Sequence, residues 1–249
     1  MQAIKRFIGD AALQRDEIGE SPCTVHSFRR GKELYFLKTS PAIYADTTYS
    51  VLREAAVLQW LSGKVNVPEV VLTAQDAQQE YMITRAVPGL PLAAHLEDRQ
   101  RALAVFKEAL RQMQSIPIAD CPFDSSAAVR LRELAFLISQ GLIDEDYDLD
   151  AWPDLATPQD LLARLHATMP QEDLVFSHGD LGDSNIFVTD KDELHFIDLG
   201  RGGKADRWLD IAFAHRNVRE ELSADLAAQL LATDQPAKRA FFEQLDELF

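Results

Sequence analysis

Apolar positions come in short, strand-like runs over the first third of the chain and then change to a helical period. "ELYFLKTS" begins at Glu33 and "EYMITRAVPG" at Glu80; both read as β-strands, the second stopped by Pro88 and Gly89. Between them "TTYSVLREAAVLQWLSG" places Val51, Leu52, Ala55, Leu58 and Leu61 at near-helical spacing. A helix is expected there, with Thr47 or Thr48 as N-cap and Gly63 as its stop. Beyond the break near residue 88, "LEDRQRALAVFKEALRQMQSI" carries a helical stripe through Leu103, Phe106 and Leu110. "AAVRLRELAFLISQGL" carries another through Leu131, Leu134 and Ile138, which Gly141 closes. A short β island around "LVFSHGDLGDSNIFV" interrupts the helices before "ADRWLDIAFAHRNVREEL" resumes them. The pattern predicts an α+β fold of two lobes: a small β-rich lobe over residues 1–88 and a larger, mainly helical lobe over 89–249, with a cleft at the hinge.

Composition narrows the partners. A chain of 249 residues with 47% hydrophobic content can bury a substantial core. No apolar run approaches the ~18 residues of a membrane span, and "MQAIKRFIGD" lacks a signal peptide's apolar stretch and cleavage site, so a cytoplasmic protein is expected. Cys23 and Cys121 lie far apart in the chain, without metal-site spacing. The formal charge of −15 argues against nucleic acid or an anionic membrane as partner and favours cations. Much of the acid lies in "IDEDYDLDAWPD", Ile143 to Asp154, and no Lys or Arg occurs from Glu133 to Ala163; a solvated acidic loop is the simple alternative. No obligate protein partner is evident.

The chemistry is carried by "HGDLGDSNIFV", His178 to Val188. Asp180 stands five residues before Asn185, and Asp198 thirteen residues after it in an Ile-Asp-Leu-Gly segment. This is the spacing of a kinase catalytic loop, in which one Asp orients or deprotonates the acceptor hydroxyl while an Asn and a second Asp hold Mg2+ against the phosphates. His178 is expected to buttress the loop, and Gly179 and Gly182 to shape it. Lys38, at the end of a predicted strand, and Glu54, in the helix after it, are the natural cation and its anchor. Phe36, two residues before Lys38, shares its strand face and can stack on adenine, with core packing as the alternative. No Gly-x-Gly-x-x-Gly or Walker A motif occurs. Only "GESPCTV", Gly19 to Val25, is placed to cover phosphates, with the Ser21 hydroxyl as an added donor.

These blocks closely resemble the aminoglycoside 3'-phosphotransferases, antibiotic kinases of protein-kinase-like fold. The resemblance runs from "GESPCTV" and "FLK" through "HGDLGDSNIFV" and "FIDLGRGGKADRWLDIAFAHRNVREEL" to the terminal "LDELF". It implies ATP, with GTP as a possible substitute donor, Mg2+ on Asn185 and Asp198, Asp180 as catalytic base, and Lys38 with Glu54 on the phosphates. Thr84 to Ala86 would form the adenine hinge. It further implies a polycationic aminoglycoside substrate, phosphorylated at its 3'-hydroxyl, with antibiotic resistance as the outcome. The matching substrate positions are Arg201, Arg216, Glu220, Asp246, Glu247 and Phe249, with Asp148 and Asp150 from the acidic loop. Other readings are a kinase of the same fold acting on choline, a macrolide or a metabolite, and a catalytically silent nucleotide-binding protein. Choline would call for an aromatic box, and silent relatives typically lose the base or a metal ligand.

Overall fold

The computed structural model describes the chain except Met1 and residues 17–20, 144–146, 148, 150 and 151. In chain order, helix α1 (Gln2–Ile8) precedes strands β1 (Gln14–Asp16), β2 (Thr24–Arg30) and β3 (Glu33–Pro41), then α2 (Val51–Leu61). There follow β4 (Val70–Gln75), β5 (Gln79–Arg85), β6 (Leu90–Pro91), α3 (Arg99–Gln114), α4 (Ala127–Gln140) and α5 (Pro158–Thr168). The remainder comprises β7 (Leu174–Ser177), β8 (Ile186–Val188), β9 (Leu194–Phe196), β10 (Gly203–Asp206), α6 (Trp208–Glu221), α7 (Ala224–Leu230) and α8 (Pro236–Asp246).

The chain divides into two compact units, residues 1–94 with 183–202, and residues 95–182 with 203–249. The single sequence boundary at 88/89 therefore needs correction. Residues 183–202 pack with the first unit because β8 pairs with both β6 and β9, and because the Phe196 N–H donates to Asn66 O at 2.9 Å.

In the first unit, five antiparallel strands run in the order β1-β2-β3-β5-β4. Alternation along β3 buries Tyr35 and Leu37 with Ile4, Phe28, Tyr81 and Ile83. Phe7 of α1 meets the Phe28 and Tyr35 rings edge-on, with centroids 6.3 and 5.3 Å away. Aromatic pairs of this geometry add about 0.5–1.5 kcal/mol beyond their burial. The same alternation turns Phe36 and Lys38 to the other face. Helix α2 begins later than the threonines suggest: its N-cap is Ser50, whose hydroxyl accepts the Arg53 N–H at 3.1 Å. Thr47 instead belongs to the preceding turn, its hydroxyl donating to Tyr44 O at 2.8 Å.

The second unit is helical. Its core joins Leu131 and Leu134 of α4, Leu161 and Leu165 of α5, Trp208, Leu209, Ala212 and Phe213 of α6, and Phe241, Phe242 and Leu245 of α8. Gly141, at φ 65°, ends α4 in the left-handed conformation expected of a helix-closing glycine. The two-stranded β10-β7 ladder lies in this unit, and α3 packs on β7 and α6. No helix among the described residues is long and apolar enough to cross a membrane.

Candidate active site

The first unit assembles a lysine held by two carboxylates. Helix α2 is seated on the sheet through Glu80 of β5, a buried carboxylate. It accepts the Ser50 hydroxyl at 2.6 Å, the Ser40 hydroxyl at 3.2 Å and the Leu52 N–H at 3.4 Å. A carboxylate at a helix N-terminus satisfies orphan amides and complements the helix dipole. One turn on, Glu54 is buried and reaches Lys38 Nζ at 2.9 Å. The same ammonium contacts Asp198. Burial alone would lower the Lys38 pKa, but the charges of Asp198 and Glu54 outweigh it and hold it well above its ordinary value. Lys38 is thus a fixed positive charge.

The nucleotide-side candidates fall around this lysine's strand. Phe36 lies in register with Ser27 on β2 and Thr84 on β5. Thr84 is buried, and the Ala86 N–H donates to Leu34 O at 3.0 Å. Ser21 is exposed and accepts the Cys23 N–H at 3.4 Å; Gly19 and Glu20 lie outside the described residues.

Asn185 and Asp198 flank a β-hairpin, which is why residues thirteen apart in sequence come together. Ile186 pairs with Phe196, and just outside the ladder the Ile197 N–H donates to Asn185 O at 3.1 Å. Asn185 is buried. Asp198 has left-handed backbone angles of φ 59° and ψ 49°, a conformation uncommon outside glycine and concentrated at functional positions. It starts the short 3-10 turn Leu199–Arg201. Inside that turn a Cβ on Gly200 would lie 2.8 Å from Thr48 O, so only glycine lets the turn approach α2 this closely. An amide oxygen and a carboxylate are hard donors, a set that fits Mg2+, which takes few protein ligands and keeps several waters. Among the described residues no group of three or more His, Cys, Asp or Glu forms a separate metal cage.

Asp180 belongs to the second unit, in the loop after β7. Its loop is held by a residue that sequence reasoning missed. Asp210 of α6, 1% exposed, accepts the His178 N–H at 2.8 Å and the Gly179 N–H at 2.9 Å. Burial raises the Asp210 pKa, opposed by the His178 charge and by hydrogen bonds from Ser177, His178 and Gly179. The signal was an acid at helical spacing from the apolar Phe213 and Ala214. His178 is fully buried, and its backbone N–H donates to Asp210. Gly179 has φ 85° and needs to be glycine; Gly182 is not among the positive-φ glycines.

The predicted substrate residues separate. Arg216 of α6 pairs with Asp246 of α8 at 2.5 Å. Burial works against the Arg216 charge, yet Asp246, Glu220 and Glu247 together raise its pKa, which places the three acids around one guanidinium. Glu220 also meets Arg219 at 3.1 Å. The Phe249 ring lies 4.0 Å from the Arg130 guanidinium, a fully buried cation. Arg201 is part of the other unit. It lies in the first unit, 5.6 Å over the Tyr49 ring, and donates to the Tyr49 hydroxyl at 3.4 Å. Asp148 and Asp150 lie outside the described residues.

The chain matches the phosphotransferase enzyme family over residues 25–245. It is 46% identical to an aminoglycoside 3'-phosphotransferase of Acinetobacter baumannii over 98% of this chain and 97% of that protein. It is 36% identical to one from Enterococcus faecalis over 99% and 97% of the two chains. Among solved structures, an aminoglycoside-3'-phosphotransferase of type VIII superposes with a TM-score of 0.87 at 30% identity, covering 100% of this chain and 97% of that one. With its kinase-like fold and the Lys38, Glu54 and Asp198 triad in place, the chain belongs to the aminoglycoside 3'-phosphotransferase family.

Proposed function

We propose that this enzyme transfers the γ-phosphoryl group of ATP to the 3'-hydroxyl of an aminoglycoside and so confers resistance to it. The observation that carries the reading is the Lys38 ammonium fixed between Glu54 and Asp198, the arrangement that kinases use for a cation on nucleotide phosphates. Phosphoryl transfer asks little covalent chemistry of a protein, and the work is positioning and charge. Lys38 binds phosphate oxygens, while Phe36, Thr84 and Ala86 hold adenine and Ser21 adds a donor over the phosphates. Asn185 and Asp198 would hold Mg2+, which when bound supplies further positive charge to the phosphate oxygens. Asp180 orients the acceptor hydroxyl and takes its proton as the new O–P bond forms and the bond to ADP breaks. Asp246, Glu247 and Glu220 attract the substrate's ammonium groups, with Arg216 keeping Asp246 in place. Asp148, Asp150, Arg201 and Phe249 complete the proposed substrate contacts.

The purified protein incubated with ATP and Mg2+ should add one phosphate to an aminoglycoside bearing a 3'-hydroxyl and none to its 3'-deoxy analogue, read by mass spectrometry and 31P NMR. Choline and a macrolide serve as competing acceptors and GTP as a competing donor. Turnover of the 3'-deoxy compound would refute the regiochemistry, and turnover of choline or the macrolide alone would refute the substrate class. Expression in a sensitive host should raise the inhibitory concentration of the same compounds.

A further inference from the structure

Arg53 immediately precedes Glu54 on α2, yet its side chain serves a different partner. Its guanidinium donates through one terminal nitrogen to Gly200 O and through the other to Gly202 O, the latter at 3.0 Å. Both glycines are buried, so these carbonyls have no recourse to bulk water. One lies within the 3-10 turn that Asp198 opens and the other at its C-terminal end, where the Gly202 N–H closes the turn on Leu199 O at 2.9 Å. Thr48, just before α2, presses on the same turn at Gly200.

We infer that Arg53 is a positioning residue for the metal: by bridging two carbonyls of the turn it holds Asp198 in its left-handed conformation, ready to bind Mg2+. The inference rests on the reading of Asp198 as a metal ligand. Adjacent residues of one helix then set the two halves of the phosphate site, Glu54 placing the lysine and Arg53 placing the carboxylate. A planar fork spans two carbonyls from two separate nitrogens, whereas an ammonium has to reach both from a single centre. A glycine-rich turn has little stiffness of its own, so the conformation that Asp198 needs has to be imposed from outside.

The experiment measures ADP affinity by calorimetry with Mg2+ and with EDTA, for wild type, R53M and R53K, with melting temperature followed alongside. The ratio of the two dissociation constants reports metal coupling independently of turnover. R53M should reduce that ratio by about tenfold, within the range for residues that orient metal ligands, while ADP affinity in EDTA stays near wild type. R53K should fall between the two. A folded R53M with the wild-type ratio overturns the inference, as does an equal loss of ADP affinity with and without metal, which marks a purely structural role. If R53M does not fold, R53K decides: an intermediate ratio supports the inference and a wild-type ratio overturns it. A wild-type protein whose ADP affinity ignores Mg2+ overturns the metal reading of Asp198 and the inference with it.

Discussion

As the proposed base, Asp180 would act on a proton that becomes mobile only as the phosphoryl group moves, so its contribution would belong to the transition state. Asp180→Ala should therefore lower kcat by about 10²–10⁴-fold, while ATP affinity and melting temperature stay near wild type. A variant with near wild-type turnover would remove Asp180 from the role of base. Asp198→Ala and Asn185→Ala should fail differently, by raising the Mg2+ concentration needed for half-maximal rate. Asp198→Ala is expected to be the more severe because it deletes a charge as well as a ligand. Rate measured against Mg2+ separates the cases, and unchanged metal dependence in both variants would count decisively against the assignment.

Helix α2 carries Glu54 in the first unit, and the end of α8 carries the proposed substrate acids in the second. Ser50 both caps α2 and donates to the buried Glu80, so Ser50→Ala removes a cap and leaves Glu80 one donor short. A loss of about 1–2 kcal/mol is expected in urea unfolding; a loss near zero would mean that Glu80 alone seats the helix. At the other element, α8 buries Phe242 and Leu245, and Leu248 follows just beyond it, while Asp246 and Glu247 collect around Arg216. Packing and the proposed substrate role would therefore share one segment. Deleting residues 247–249 should raise the aminoglycoside KM about tenfold, the equivalent of ~1.4 kcal/mol, and further with added salt, with little change in ATP affinity. If the truncated protein remains folded and this KM does not move, the segment serves packing alone.

Across the whole molecule the excess of acid suits a polycationic substrate, but it also ties stability to pH through specific groups. His215 is buried beside Glu243, at 3.8 Å, with Arg219 and Arg239 close to the same carboxylate. Burial, then the charges of Arg239 and Arg219, push its pKa below the ordinary 6.5, with Asp234 opposing. A histidine depressed in the folded state contributes stability that is fully present above its unfolded pKa and is lost as pH falls through the folded one. Unfolding free energy should thus drop between about pH 7 and pH 5, and His215→Gln should flatten that slope. Equal slopes in the two proteins would assign the acid sensitivity to other groups.

What the chain determines locally was readable in advance. The strands on either side of α2, the helical stripes and the glycine that closes α4 depend on residues a few positions apart, where periodicity and turn chemistry act, and the Asp180, Asn185 and Asp198 motif spans eighteen positions. Partnerships across long separations were not readable. Lys38 meets Asp198 across 160 positions, Asp210 holds the loop before Asp180 from another helix, and Arg53 clamps a turn 147 residues away. Arg201, which the resemblance gives as a substrate residue, meets Tyr49 across 152 positions, a contact that no local pattern announces. Ser50 displaced the threonines as cap because Glu80, on a strand that follows α2, reaches its hydroxyl. Local pattern selects an element and the face it buries; which polar groups then meet depends on the packing of elements distant in sequence, which alone brings buried donors to buried acceptors.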